Sequence, residues 1–273
     1  MSYYQILGLE KEPFSTSPDP DFFYQSQEHQ AALTRLMIEI RLRRGLSVIL
    51  GDVGTGKTTL SRKMFQMLKL RDDMIFFMVL DPTFETEEVF LESLIRTFQI
   101  QMDTPSGSVL NMKEAIKKYL FQKAIQDNKT VILLVDEAQK LNPSSLEILR
   151  VLLNYETNEY KLLQLVLLAQ LELLPKIREM KNLMDRISMK YIINPLDDVE
   201  TKEMIEFRIR QAGYRSHLPL FKDDAIAEIY QLTQGYPRKI SMLCHNALKM
   251  LVMESKIIVD KDVVHKVMAQ SAF

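Results

Sequence analysis

The chain has 273 residues, 47% of them hydrophobic and 26% charged, which suits one large globular domain or a large one followed by a small one. A formal net charge of -1 argues against bulk attraction to nucleic acid or anionic lipid, while leaving room for a local basic surface. The single cysteine, Cys244, excludes an internal disulfide and a cysteine-based zinc site; its setting in Ile240–Cys244 predicts a buried helix position.

Residues 1–45 read as an N-terminal linker and a helix that packs on the core that follows. Leu46–Leu50 then begins a series of short apolar segments with strand character. It runs into Gly51-Asp52-Val53-Gly54-Thr55-Gly56-Lys57-Thr58, and Thr59–Leu68 follows with Leu60, Met64, Met67 and Leu68 at helical spacing. Met74–Leu80 is the second candidate strand, and Glu85–Gln99 and Val109–Gln126 are helical, with a mobile loop expected at Asp103–Ser108. Thr130–Val135 is the third strand. Pro143–Tyr155 follows as a helix with Leu146, Leu149, Leu152 and Leu153 on one face. Leu162–Ala169 and Ile187–Ile193 complete five strands, alternating with helices as in a parallel sheet covered on both sides.

The pattern changes after Pro195. From Asp198 onward only helices are expected, at about 198–212, 223–234, 238–254 and 260–270. Asp198 and Asp223-Asp224 fit helix starts, and Gly213 and Gly235 fit stops. The expected organisation is therefore a core at 46–196 and an all-helical domain at 197–273. The N-terminus lacks a basic segment followed by an apolar core, so no secretory signal is expected. Apolar runs such as Val131–Val135 fall far short of the roughly 18 residues of a membrane span, so the expectation is a cytoplasmic chain with no intrinsic span.

The glycine-rich octad matches G-x-x-x-x-G-K-[ST] and has the strand–loop–helix context that this phosphate-binding loop needs. Glycines let main-chain N–H groups turn inward around phosphates, and the helix N-terminus adds partial positive charge. Asp52, Val53, Gly54, Thr55, Gly56, Lys57, Thr58 and Thr59 are the expected nucleotide contacts. Lys57 would reach the β- and γ-phosphates, and the Thr58 hydroxyl would ligate Mg2+. The third strand ends in Asp136-Glu137, at the sheet edge where open α/β folds bind ligands. Asp136 would hold the metal, and Glu137 would polarise a water for attack on the γ-phosphate.

Gln170 follows the fourth strand and is a candidate γ-phosphate sensor, the alternative being a polar loop start. Arg186, just before the fifth strand, is the candidate for a cation that reaches a neighbouring subunit's nucleotide; Arg178 and Lys181 compete, as does an ordinary surface role. Arg238 follows Gly235-Tyr236-Pro237 and falls in a first helical turn. A cation there opposes the helix dipole at roughly a few tenths of a kcal/mol, which a docked triphosphate would offset. Arg41, Arg43 and Arg44, and the group Lys176, Arg178, Lys181, Arg186 and Lys190, read as solvated or subunit-contact faces that could also meet phosphate backbones. The four histidines show no metal-ligand spacing.

With these residues on the page, the chain resembles an AAA+ P-loop ATPase, and more narrowly the ATPase domain of the general secretion pathway protein A (ExeA-type) family. The resemblance spans nearly the whole chain. It includes Tyr4, Leu7-Gly8-Leu9, Pro13-Phe14, Pro18-Asp19-Pro20 and Phe23-Tyr24, then His29 and Ala32-Leu33. It continues through GDVGTGKTT, LLVDEAQKL, Gln170-Leu171-Glu172-Leu173 and GYPRKI. It implies a five-stranded parallel sheet flanked by helices, a helical lid, and ATP with Mg2+ at a cleft and at a subunit boundary of a ring or filament. Asp136 and Glu137 would be the metal-binding and catalytic acids and Arg238 the lid arginine. For the N-terminal segment, a place beside the adenine, a place on a neighbouring subunit and plain packing of Phe14 and Phe23 all remain open.

Members of that family commonly carry proline where this chain has Leu171. Secretion-linked members often continue into a membrane helix, whereas this sequence reaches Phe273 just past the lid, so a role at the inner membrane would call for a partner that supplies the anchor. The resemblance thus implies an ATPase that drives assembly or remodelling of a protein complex. Its main rival is an ATP-dependent regulator of transposition on double-stranded DNA, which would share fold and active site. A small-molecule kinase with the same loop is a weaker alternative, because such enzymes usually lack the acid pair, sensor and lid arginine together.

Overall fold

The computed structural model describes residues 2–102 and 108–270. The expected mobile loop at Asp103–Ser108 therefore lies outside the described residues except for Ser108. In chain order the helices of the first half are α1 (Tyr3–Ile6), α2 (Gln27–Arg41), α3 (Lys57–Leu68), α4 (Glu87–Thr97) and α5 (Val109–Phe121). They are followed by α6 (Pro143–Leu152), α7 (Leu173–Glu179), α8 (Lys181–Met184), α9 (Asp198–Gln211), α10 (Asp223–Thr233), α11 (Pro237–Met253) and α12 (Lys261–Gln270). The strands are β1 (Leu46–Gly51), β2 (Met74–Val79), β3 (Thr130–Val135), β4 (Leu163–Ala169) and β5 (Ile187–Ile193).

The chain divides into two compact units. The first to consider comprises His29–Asp52 and Leu60–Ile193 and contains a five-stranded sheet, all parallel, in the order β2-β3-β4-β1-β5. The three inner strands are buried at every residue, which is why their sequences are mostly apolar rather than alternating, with Ser47, Thr130 and Gln164 as buried polar exceptions. The edge strand β5 alternates instead, with Ser188 and Lys190 exposed. On one face Val48, Leu133 and Leu165 join a cluster with Phe90, Leu94, Ile116 and Leu149 from α4, α5 and α6. The intervening residues Ile49, Ile132, Leu134, Val166 and Leu168 are equally buried, so the other face is covered too. There Phe65 of α3 meets Phe76, the register partner of Ile132, and Arg35 of α2 lies over Tyr191, the partner of Ile49.

The second unit joins residues 2–28, the loop Val53–Thr59 and residues 194–270. Its apolar core combines Leu9, Phe14 and Phe22 with Ile205, Ile229, Ile240, Ala247, Leu251 and Val263. The N-terminal segment is therefore built into the helical unit. Arg208 anchors it: the guanidinium, 7% exposed, lies near the rings of Phe14 and Phe22. It donates to the carbonyl of Ser15 at 3.1 Å and to the hydroxyl of Ser241. Burial pulls its pKa down to about 10. Further along, Tyr24 donates to Glu203, and the Gln27 amide donates to Glu200 at 2.9 Å.

Candidate functional site

Between β1 and α3 the chain runs through Gly51–Gly56 with Gly54 at φ +84° and Gly56 at φ +98°. Both values lie in the left-handed region, which lets successive N–H groups face one side. Lys57 and Thr58 open α3, whose first turn holds no acidic residue to compete for an anion. Thr55 is fully buried and Lys57 is 5% exposed, whereas Asp52 and Val53 are open to solvent. Gly54 has a second constraint. Its carbonyl accepts from the Arg238 main-chain N–H at 3.3 Å, and a Cβ at this glycine would fall 2.9 Å from the Cβ of Arg238. The start of α11 is thus held against the loop, with Pro237 at the first helical position and the Arg238 side chain exposed.

At the end of β3 the Asp136 amide donates to the Val79 carbonyl at 2.8 Å, continuing the ladder by one residue. Asp136 is 1% exposed, and its Oδ1 accepts from the Glu137 amide at 2.9 Å. Glu137 then turns sharply, at φ +53° and ψ +35°, a left-handed conformation uncommon for a residue with a side chain. Such strain gathers where a side chain must be aimed. The turn continues as a short 3-10 helix, Ala138–Lys140, and brings Gln139 under Glu137. Gln139 Nε2 donates to Glu137 Oε2 at 2.7 Å, and Gln139 Oε1 accepts from the Gln170 amide at 3.1 Å. Lys176 Nζ donates to the carbonyls of Gln139 and Leu141. The residues after β3 and those after β4 are therefore one connected cluster.

Of the other residues singled out from the sequence, Arg186 sits half-buried ahead of β5, and its Nε is buried with no hydrogen-bond partner among the described residues. Arg178 and Lys181 are exposed. Arg43 turns inward: Nε donates to Thr130 Oγ1 at 3.2 Å and the guanidinium lies 4.5 Å from the centre of the Tyr160 ring. With Lys176 also engaged, neither basic group of the sequence is wholly available to a phosphate backbone.

The sequence model of the AAA domain matches residues 40–177, which include the loop, Asp136-Glu137 and Gln170. The chain belongs to the AAA domain family. This AAA chain is 36% identical over 248 residues to general secretion pathway protein A of Aeromonas hydrophila. That match takes in 90% of the chain and only 44% of the relative, so the chain spans less than half of that protein's length. Among solved structures, Aeropyrum pernix ORC2, in its ADPNP–ADP complexes, superposes with a TM-score of 0.66 at 16% identity, covering 94% of this chain and 72% of that one. Aeropyrum pernix ORC1 in complex with DNA superposes with a TM-score of 0.68 at 17% identity, covering 95% and 69%. At those identities the likeness is one of fold.

Two features of this AAA domain protein were not anticipated from its sequence. Gln139 has no expected role within LLVDEAQKL; its signal in the sequence is a neutral amide, able to donate and accept at once, two positions beyond an acid at a strand end. The second is a pocket of about 450 Å3 within the helical unit, between Glu12–Thr16 and the face of α11 that carries Arg238, Met242 and His245. Glu12 and His245 pair across it at 2.8 Å, and Tyr3 Oη lies 2.9 Å from His245 Nδ1. Burial, followed by the neighbouring Lys249 charge, holds the His245 pKa below the usual histidine value.

Proposed function

We propose that the protein is a Mg2+-dependent ATPase whose hydrolysis drives the assembly or remodelling of a partner complex. The observation that carries this reading is the bond from the Arg238 amide to Gly54, which sets a cation of the C-terminal helices beside a phosphate-binding loop. The main-chain N–H groups of residues 52–59 would hold the triphosphate, with Lys57 on the β- and γ-phosphates and Arg238 on the γ-phosphate. The pocket next to Arg238 is of a size for a nucleotide base, which supports placing the N-terminal segment beside the adenine. Thr58 and Asp136 offer the hard oxygen donors that Mg2+ takes. When bound, the ion would offset charge on the β- and γ-phosphate oxygens.

Glu137 would take a proton from a water whose oxygen bonds the γ-phosphorus. The bond from that phosphorus to the β–γ bridging oxygen breaks, and its electron pair leaves with ADP. Gln170, at the end of β4, would sense the γ-phosphate, and Arg186 would act on the nucleotide of a neighbouring copy in a ring or filament. Loss of the γ-phosphate contacts would then release the assembled form.

The likeness to a general secretion pathway protein supports a protein complex as the partner, and we place that complex at the inner membrane. Among the described residues no helix is long and apolar enough to cross a membrane. The likeness in fold to a chain solved with DNA supports the rival, an ATP-dependent regulator of transposition on double-stranded DNA. Glu137→Gln is expected to keep ATP affinity, to lose hydrolysis by about a hundredfold or more and to accumulate oligomers with ATP. Lys57→Ala is expected to lose ATP affinity. A Glu137→Gln protein with wild-type turnover would overturn the mechanism. Anisotropy of a labelled duplex titrated with the same variant separates the partners, because ATP-dependent binding that weakens steeply with salt belongs to the DNA reading.

A further inference from the structure

We infer that Gln139 is a positioning residue that aims the Glu137 carboxylate and ties it to the end of β4. The inference rests on the reading of Glu137 as the acid that polarises the attacking water. Gln139 is 7% exposed, so its amide must find protein partners at both ends. It finds them at Glu137 Oε2, 2.7 Å from Nε2, and at the Gln170 amide, 3.1 Å from Oε1. The chemistry allows only one orientation of the amide. A flip would set an NH2 group against an N–H and a carbonyl oxygen against a carboxylate. The backbone beneath is held by Lys176 on the Gln139 and Leu141 carbonyls.

Two consequences follow from this geometry. Oε2 of Glu137 is engaged by Gln139, which leaves Oε1 as the oxygen that would take the proton of the attacking water. Any shift of the residues after β4, where Gln170 would meet the γ-phosphate, is passed through one side chain to the acid. Glutamine suits this task because a side-chain amide donates and accepts through one rigid plane. Glutamate at 139 would keep the acceptor for Gln170 and set a second carboxylate against Glu137. Leucine would remove both contacts.

The test compares wild type, Gln139→Glu, Gln139→Leu, Glu137→Gln and the Glu137→Gln/Gln139→Leu double variant. Steady-state hydrolysis and equilibrium affinity for a fluorescent ATP analogue are measured on each, with thermal unfolding as a check on folding. Loss of one hydrogen bond to a charged group corresponds to about tenfold or more, so kcat of Gln139→Glu is expected to fall by that factor. KM and nucleotide affinity are expected to stay within about threefold of wild type, a split that a general loss of structure would not produce. The double variant is expected to be no slower than Glu137→Gln alone, because Gln139 acts through that carboxylate. If Gln139→Leu fails to fold, the near-isosteric Gln139→Glu decides alone. Turnover within about twofold of wild type in Gln139→Glu, or losses that multiply in the double variant, would overturn the inference while leaving the role of Glu137 intact. Wild-type turnover in Glu137→Gln would overturn both.

Discussion

Gly235 shows how one missing atom can set a chain path. Its φ is +72°, and a Cβ there would sit 1.9 Å from the carbonyl oxygen of Leu196 and 2.9 Å from its carbonyl carbon. The obstacle is backbone, and the two residues are tied by the Leu196 amide donating to the Gly235 carbonyl at 2.9 Å. No rotamer change relieves such a clash. Gly235→Ala is therefore expected to cost at least about 2 kcal/mol, well beyond the ordinary glycine effect, in urea unfolding of the helical unit. A cost below that of a surface substitution would show that the approach relaxes freely. The glycine reads as a helix stop from the sequence alone. That it also makes room for Leu196 does not, because nothing local in the sequence brings residues 196 and 235 together. Gln139 is the same kind of case at the site: the acid beside it was legible from the motif, and its partner across the turn was not.

At the scale of elements, local chemistry set the strand boundaries to within one residue, while α6 ends at Leu152, three residues short of the expected Tyr155. β3 and β5 coincide with the expected spans, and β1, β2 and β4 differ by one residue at one end. α9 starts at Asp198, as expected, and the residue before it, Asp197, is the cap: it is extended and accepts from the Glu200 amide at 2.8 Å. Two adjacent aspartates offer the same cap chemistry, and only the backbone angle separates them. Asp197→Ala is expected to lower stability by about 1 kcal/mol, read as a shift in the unfolding midpoint without a change in slope; Asp198→Ala is expected to cost less than that. The expected helix through Gln126 instead ends at Phe121 and widens into a π turn over Gln122–Gln126. α7 and α8 were not anticipated, since segments of seven and four residues are too short to display a helical period.

Across the whole molecule, the least expected arrangement is the company kept by the N-terminal segment. Leu9, Phe14 and Phe22 are core residues of the helical unit, the two rings beside Arg208, although the chain separates them from α9 by the entire sheet. Cys244 lies in that same core, fully buried, and burial pushes its thiol pKa well above the usual cysteine value. The thiol is thus a built-in reporter of the unit's integrity. In native buffer it is expected to resist a thiol reagent, and its labelling should rise with urea in step with the loss of helix signal. Phe14→Ala, which empties a site beside Arg208, is expected to cost about 3–5 kcal/mol and to advance that labelling to lower urea. Fast labelling of the untreated native protein would contradict the packing.

The sequence by itself made legible the strands, the longer helices and the motif residues that lie close together along the chain. These are the apolar runs of the strands, the glycines and Lys57 of the loop, the acids at the end of β3, and the change to helices after Pro195. Each follows from periodicity or from residues a few positions apart, which is as far as backbone geometry reaches. Tertiary structure alone decided the strand order, the assignment of residues up to Glu28 to the helical core, the contact of Arg238 with Gly54, and the bridge from Glu137 through Gln139 to Gln170. Those depend on which apolar faces are buried together and on which buried polar groups must then satisfy one another. That selection is made among residues tens of positions apart, where the sequence carries no spacing to read.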